Sequence, residues 1–262
     1  MSALAEGMAA ASLDEAAPAA EAAEAAEADA ATPAAAEAAP AAAEAGQEEA
    51  AKEKKKKKKK AGQGKGKGNN VVVKVGMVGD AQIGKTSLMV KYIEGKFDED
   101  YIQTLGVNFM EKSITIKNTE ITFSIWDLGG QREFISMLPL VCNDAVATLF
   151  MFDLSNKQSL KNVKEWYRQV RGMNKNSFAF LVGTKYDLFA TELSEKEQAS
   201  ITKQARKFAK AMKAPLIFSS AKGHDGRAIN INKIFKIILS RVFNLKCTIP
   251  CISGVGEPIL EH

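Results

Sequence analysis

One glycine-bounded stretch has residue types and spacing suited to phosphate chemistry. Residues 79–86, the P-loop, read GDAQIGKT and match G-x-x-x-x-G-K-[ST] between a predicted strand and a predicted helix. In such a loop, backbone N–H groups and the helix dipole converge on phosphate oxygens. The pattern predicts that Lys85 reaches the β- and γ-phosphates and that the Thr86 hydroxyl binds Mg²⁺. The predicted nucleotide-binding residues here are Gly79, Asp80, Ala81, Gln82, Ile83, Gly84, Lys85, Thr86 and Ser87.

A second motif, WDLGGQ at residues 126–131, follows a predicted strand. After a P-loop, an Asp at a strand end is a water-mediated anchor for Mg²⁺, which predicts that role for Asp127. Gly130 lacks a Cβ, so its N–H can approach a γ-phosphate closely. Gln131 is placed to orient an attacking water. By itself the motif is equally consistent with an ordinary turn at the end of a strand.

Two further motifs at strand ends indicate which base is bound. Residues 184–187 read TKYD, and residues 220–222 read SAK. The Asp187 carboxylate can accept from N1–H and the exocyclic amine of guanine, a donor pair that adenine lacks. The Lys185 stem can cover one face of the base, and the backbone of Ser220, Ala221 and Lys222 can donate to guanine O6. Together the motifs favour guanine over adenine.

The elements that must position these motifs alternate along the chain. Strands are predicted at 71–79, 111–117, 120–127, 145–153, 179–184 and 215–219, and helices near 85–95, 155–173, 196–212 and 230–244. This order predicts an α/β fold with a mostly parallel six-stranded sheet flanked by helices, in which 111–127 forms an antiparallel hairpin. Ligands bind at the carboxyl ends of such strands, where all the motifs lie.

The rest of the chain differs sharply in composition from residues 71–245, the predicted domain. Residues 1–53 are rich in alanine and carry 12 Asp+Glu against one Lys, and residues 54–60 are all lysine. We expect residues 1–70 to be a disordered tail and linker. The lysine block could bind anionic lipid, nucleic acid or an import receptor, or it could be a solvated linker without a ligand. Of these partners, nucleic acid is not expected. Three cysteines and no apolar run of membrane-spanning length indicate a cytoplasmic protein.

The blocks GDAQIGKT, WDLGGQ, TKYD and SAK, in this order, resemble those of Ras-superfamily small GTPases, and the resemblance covers about residues 71–245. It implies the P-loop NTPase (Ras-like) fold, GTP or GDP as ligand and slow GTP hydrolysis. It also implies that Phe97 packs against the guanine ring and that Tyr101 belongs to the nucleotide site. The implied catalytic residues are Gln131, Lys85 and Thr104, and the implied metal ligands are Thr86, Thr104 and Asp127.

Longer stretches, including GDAQIGKTSLMVKYIEGKFDEDYIQTLGVNFMEK and WDLGGQREF, resemble the fungal septum-promoting (Tem-type) GTPases. That group implies a switch for a protein kinase cascade of septation and mitotic exit, recruited to the spindle pole body. A GTPase-activating protein complex and a kinase effector are the implied partners. Residues 246–262, predicted to be a tail, lack a C-terminal cysteine box, so no prenyl anchor is expected.

The chain departs from the family pattern in two places, one in the base motif and one in the P-loop. Thr184 stands where an asparagine is usual, which predicts loss of an amide that links the base to the P-loop. Ala81 and Gln82 are expected to crowd the γ-phosphate, which leaves open a GTP-binding scaffold with negligible hydrolysis. A Rab-like trafficking GTPase is a further alternative, because residues 104–109 (TLGVNF) resemble the Rab version of this loop. An ATP-using P-loop kinase would need a lid and an acceptor site that the sequence does not reveal.

Overall fold

The computed structural model describes residues 70–116, 118–224 and 226–262, without the side chain of His224. The tail and lysine block predicted for residues 1–70 lie outside the described residues, except for Asn70, which begins the first strand. The strands are β1 Asn70–Val78, β2 Val107–Ile116, β3 Thr119–Leu128, β4 Ala147–Asp153, β5 Phe178–Thr184, β6 Leu216–Phe218, β7 Ser220–His224, β8 Arg227–Ile229 and β9 Leu260–Glu261. The helices are α1 Lys85–Glu94, α2 Leu138–Cys142, α3 Lys157–Met173, α4 Tyr186–Glu192, α5 Glu195–Met212 and α6 Ile231–Val242, with a 3-10 helix at Arg132–Met137.

The main sheet has the strand order β2-β3-β1-β4-β5-β6-β9. Neighbours from β3 to β6 are parallel, whereas β2 pairs antiparallel with β3 at one edge and β9 pairs antiparallel with β6 at the other. The predicted α/β class, the parallel core and the hairpin are confirmed. The predicted count of six strands is one short, because β9 extends the sheet.

Helices cover both faces of the sheet and bury two apolar clusters. On one face, Tyr92 of α1 stacks on Phe235 of α6 with ring centroids 3.5 Å apart. On the other face, α3 and α5 pack through residues such as Trp166 and Ala205. Every residue of β4 is buried, as expected for a central parallel strand with helices on both sides. None of the described helices is both long enough and apolar enough to cross a bilayer.

Residues after 245, expected to form a tail, fold back onto the sheet. Ile252 and Leu260 form an antiparallel bridge, and Leu260–Glu261 pairs with β6. Ile259 and Leu260 are fully buried. Among the three cysteines, Cys142 is buried, Cys247 is half-buried and Cys251 is exposed. The domain therefore continues beyond its predicted boundary, because buried isoleucine and leucine side chains hold this segment.

Candidate nucleotide-binding site

A cavity of about 670 Å³ opens where the parallel strands end. Its walls come from α1 and the P-loop, the segment between α1 and β2, the turn after β3, and the loops after β5 and β6. The predicted residues that line it are Ala81, Gln82, Ile83, Gly84, Lys85, Thr86, Ser87, Phe97, Tyr101, Thr104, Gly130, Gln131, Thr184, Lys185, Asp187, Ser220, Ala221 and Lys222. Only Gly79, Asp80 and Asp127 of the predicted set do not line it directly.

The P-loop presents a cation and an uncapped helix start to this cavity. Gly84, at φ +84°, precedes α1, and no side chain caps the helix. A side chain at this left-handed position would be strained. The Lys85 ammonium donates to the carbonyl oxygens of Gly79 and Asp80 at 3.0 and 2.7 Å. Burial lowers the pKa of Lys85, while the Asp127 and Asp80 carboxylates oppose this shift. This cation and the first N–H groups of α1 suit a phosphate.

The three predicted metal ligands meet at the wall of the cavity, which Thr86 and Thr104 line and Asp127 does not. The Thr86 hydroxyl donates to Oδ2 of Asp127 and lies 2.8 Å from the Thr104 hydroxyl. Asp127 is completely buried, and its Oδ1 has no hydrogen-bond partner within the described structure. Burial raises the pKa of Asp127, and the Lys85 ammonium is the main opposing influence. Two hydroxyls and an unpartnered carboxylate oxygen fit Mg²⁺, which prefers oxygen ligands.

The turn after β3 lies directly against the P-loop. A Cβ on Gly130 would come within 2.1 Å of the Ala81 nitrogen, so only glycine fits here. Gln131 follows and lines the cavity, with its Oε1 buried and unpartnered among the described residues. A buried amide oxygen without a partner is costly, which is consistent with an additional polar group beside Gln131 when the cavity is occupied. The predicted placement of Gln131 beside the phosphate site is therefore present in the structure.

The side chains predicted to read the base converge at the other end of the cavity. Asp187 accepts a hydrogen bond from the Ser220 hydroxyl, which in turn accepts from the Gly223 N–H at 2.7 Å. The Lys185 ammonium pairs with Asp153 at 2.7 Å. Because this pair fixes the Lys185 head group, its aliphatic stem stays along the cavity wall. Phe97 is half-buried and lines the same cavity, whereas Tyr101 is 53% exposed.

Thr184, which departs from the family pattern, connects two strand ends and the P-loop. Its hydroxyl is buried and donates toward the carbonyl oxygens of Ile83 in the P-loop and Phe152 in β4. The amide is absent from this chain, and the hydroxyl instead links the strand end to the P-loop through the Ile83 carbonyl oxygen. The sequence predicts that Gln82 crowds the γ-phosphate. In the structure its side chain is exposed and its backbone φ is +62°.

Two features of the site were missed by sequence reasoning. The Asp80 carboxylate turns away from the cavity and accepts from Asn162 at 2.8 Å and from the Trp166 indole N–H at 2.9 Å, both on α3. Trp166 packs in the apolar cluster beneath α3 and, through this hydrogen bond, also holds the P-loop. At the cavity mouth, Lys222 pairs with Glu99 at 2.7 Å. The helical spacing on α3 does not indicate that Trp166 contacts Asp80. Lys222 and Glu99 are two isolated surface charges, and their positions in the sequence do not indicate that they form a pair.

Comparison with known proteins agrees with this geometry. Residues 74–244 match the model of the Ras family. The chain is 66% identical over 194 residues to septum-promoting GTP-binding protein 1 of Schizosaccharomyces pombe, covering 74% of this chain and 96% of that protein. It is 28% identical over 187 residues to the Ras-related protein SEC4 of Saccharomyces cerevisiae, covering 71% and 81%. It is 32% identical over 154 residues to human Ras-related protein Rab-21, covering 58% and 66%.

Proposed function

Because this chain belongs to the Ras family and is a GTPase, we propose that it is the guanine-nucleotide switch of a septation pathway. The observation that carries this proposal is the 66% identity to septum-promoting GTP-binding protein 1 over 96% of that protein. The relatives named SEC4 and Rab-21 are only 28% and 32% identical over smaller shares of their length. A Rab-like role is correspondingly less well supported.

In this proposal, Gln131 orients the water that attacks the γ-phosphate, and Lys85 stabilises the charge on the phosphate oxygens. Thr86, Thr104 and Asp127 hold Mg²⁺, which when bound neutralises charge on the β- and γ-phosphates. No arginine of the described residues lines the cavity, and Arg132, next to Gln131, is exposed. A GTPase-activating protein complex would supply the missing positive charge, an effect worth about 10³–10⁵ in rate.

The switch itself follows from contacts that depend on the γ-phosphate. Thr104 and Gly130 both line the cavity, the γ-phosphate of GTP orders them around it, and hydrolysis releases both segments. Beside them lies an apolar surface of exposed side chains that would change shape with the bound nucleotide. Its members are Ile102, Leu105, Phe109, Met137 and Leu140, which are 39–81% exposed. Such a surface suits an effector, which we propose is a protein kinase of the cascade that controls septation and mitotic exit.

We further propose that the protein is cytoplasmic and that a protein partner recruits it to the spindle pole body. The resemblance to septum-promoting GTPases supports this location. A fluorescently tagged full chain should coincide with a spindle-pole marker during mitosis. Uniform cytoplasmic fluorescence throughout the cell cycle would contradict the recruitment.

The septation role is tested by replacing septum-promoting GTP-binding protein 1 in Schizosaccharomyces pombe with the full chain. We expect septa to form with the wild-type chain and to fail with Thr86→Asn, which removes the hydroxyl proposed to bind Mg²⁺. Comparable protein levels by immunoblot make the two strains equivalent. A chain that is expressed and binds GTP yet never restores septation would contradict the septation role but not the GTPase activity.

A further inference from the structure

The segment that completes the sheet edge, residues 252–261, is a hairpin packed beside the nucleotide cavity. We call it the C-terminal hairpin. Its bridge joins Ile252 to Leu260, and its second arm pairs with β6. The two loops of the cavity that follow β5 and β6, residues 184–187 and 219–222, are called the base loops. No residue of the hairpin lines the cavity. The hairpin contacts the base loop after β5 directly, and it contacts the strand that leads into the base loop after β6.

The first contact is to the base loop after β5. Tyr186 stands between Lys185 and Asp187, and its hydroxyl donates to the Gly256 carbonyl oxygen at 2.6 Å. The Tyr186 N–H donates to the Ser219 carbonyl oxygen at 3.1 Å. One residue therefore connects the hairpin with both base loops. Gly256 itself is at φ +83°, a backbone conformation that suits glycine.

The second contact is to the strand that leads into the other base loop. The Phe218 N–H donates to the Ile259 carbonyl oxygen at 2.8 Å. The buried Asn230 amide donates to the carbonyl oxygens of Phe218 and Pro258, both at 2.9 Å. Phe218 directly precedes Ser219 and Ser220, so the backbone position of this loop depends on the hairpin.

The hairpin is firmly attached to the domain. Ile259 and Leu260 are completely buried, which favours a single position by the hydrophobic effect. Arg206 of α5 makes two hydrogen bonds to one Glu261 oxygen, at 2.9 and 2.7 Å, and also donates to the Ser253 carbonyl oxygen. An element with an apolar anchor and an ion pair can restrict the loops that it touches.

We infer that the C-terminal hairpin is a positioning element for guanine recognition, which slows nucleotide dissociation by holding both base loops in place. The inference rests on the proposed roles of Asp187 and Ala221 in reading the base. The hairpin contacts neither Lys85 nor Gln131. It should therefore govern how long the nucleotide stays bound and leave the chemical step unchanged.

The test measures dissociation of fluorescent GDP from the full chain and from two variants. Tyr186→Phe deletes the hydroxyl that donates to Gly256 and keeps the ring. Glu261→Ala removes the carboxylate that pairs with Arg206. Tyr186→Phe loses one hydrogen bond and Glu261→Ala loses two, and each variant should dissociate GDP at least about 2- to 10-fold faster. Arg168→Ala is the matched control, because it breaks an exposed ion pair with Glu165 on α3, away from the hairpin. It should dissociate GDP at the wild-type rate.

Two readouts separate positioning from general damage. Single-turnover hydrolysis of preloaded GTP should keep its wild-type rate constant in Glu261→Ala, because Glu261 does not line the nucleotide cavity. Inosine diphosphate lacks the exocyclic amine, so it should dissociate from the wild-type chain faster than GDP does. This difference in dissociation rate should shrink when Asp187 is less well aligned. Wild-type GDP dissociation in both variants, or a parallel fall in the hydrolysis rate constant, would overturn the inference.

A further variant shows whether a negative result concerns the role of the hairpin or the assignment of the base site. Asp187→Ala should speed GDP dissociation more than either hairpin variant, because it removes the base contact itself. If Asp187→Ala does so while both hairpin variants behave as wild type, only the role of the hairpin is overturned. If Asp187→Ala also dissociates GDP at the wild-type rate, the assignment of the base site fails and the inference falls with it.

Discussion

The hydroxyl of Thr184 donates a hydrogen bond to the carbonyl oxygen of Ile83, a residue 101 positions earlier in the chain. This contact joins a base loop to the P-loop. The same hydroxyl lies 3.0 Å from the Phe152 carbonyl oxygen, so it sits between two strand ends and the phosphate-binding loop. A threonine here provides the connection for which the family usually employs an asparagine amide.

Removal of this hydroxyl should loosen both halves of the site. Thr184→Val keeps the shape but leaves the Ile83 carbonyl oxygen without this hydroxyl donor, at a cost of about 1–3 kcal/mol in the free energy of unfolding. We expect fluorescent GDP to dissociate several-fold faster. Thr184→Ser, which retains a hydroxyl, is the matched control. Equal dissociation rates for the valine and serine variants would show that the link has no role in retention.

Gln131→Leu should separate binding from hydrolysis. Leucine cannot orient a water molecule, so hydrolysis stimulated by an activating protein should fall by about 10³-fold or more. GDP and GTP affinities should stay within a few-fold of wild type, because Gln131 lies beside the phosphates without holding the base. The measurement is single-turnover release of phosphate with and without the activating protein. Retained stimulation would refute the assignment of Gln131, or mean that the activating protein supplies its own glutamine.

Thr86→Asn should weaken Mg²⁺·GTP more than GDP. The variant loses the hydroxyl that lies between Asp127 and Thr104, and a triphosphate depends more on the metal than a diphosphate does. Titration of each nucleotide at fixed Mg²⁺, repeated after chelation with EDTA, measures this difference. Thr86→Ser should behave as wild type. An equal loss of affinity for both nucleotides would argue against a metal ligand at this position.

Trp166→Phe should disturb the P-loop from a distance. The indole N–H donates to the Asp80 carboxylate at 2.9 Å, and phenylalanine removes this donor while keeping most of the apolar contact. We expect a loss of about 1–3 kcal/mol in unfolding free energy, together with weaker GDP binding. Tyr167→Phe on the same helix is the control. Unfolding in urea and GDP titration measure the two effects, and unchanged GDP affinity would confine Trp166 to packing.

The cysteines should differ strongly in reactivity. Burial raises the pKa of the Cys142 thiol to about 11, and the nearby Lys74 ammonium opposes that shift only in part. Since the thiolate is the reactive form, Cys142 should resist alkylation throughout the neutral range and react only as pH approaches its pKa. Cys251 is exposed and should be alkylated first. Mass spectrometry after timed iodoacetamide treatment at pH 8 checks the order, and rapid modification of Cys142 would contradict its burial.

The sequence predicts the parts of the site that follow from local pattern. A motif at the end of a strand must lie at the carboxyl edge of the sheet, so the order of strands and motifs is enough to bring Lys85, Gln131 and Asp187 together. The contact between Asp80 and Trp166 could not be predicted in this way, because it joins residues 86 positions apart on different elements. The strand Leu260–Glu261 has two residues, too few for an alternating pattern to reveal it.

The ion pair between Lys222 and Glu99 spans the mouth of the cavity, but both side chains are more than half exposed. Exposed pairs of this kind contribute little and are screened by salt. Escape of the nucleotide is therefore limited by buried contacts, such as those of Thr184 and the hairpin, that must rearrange together. Spontaneous release should be slow and nearly independent of ionic strength. A protein that accelerates release must therefore rearrange these buried contacts. Neutralising the charges at the entrance of the cavity would leave the release rate, and so the lifetime of the bound state, unchanged.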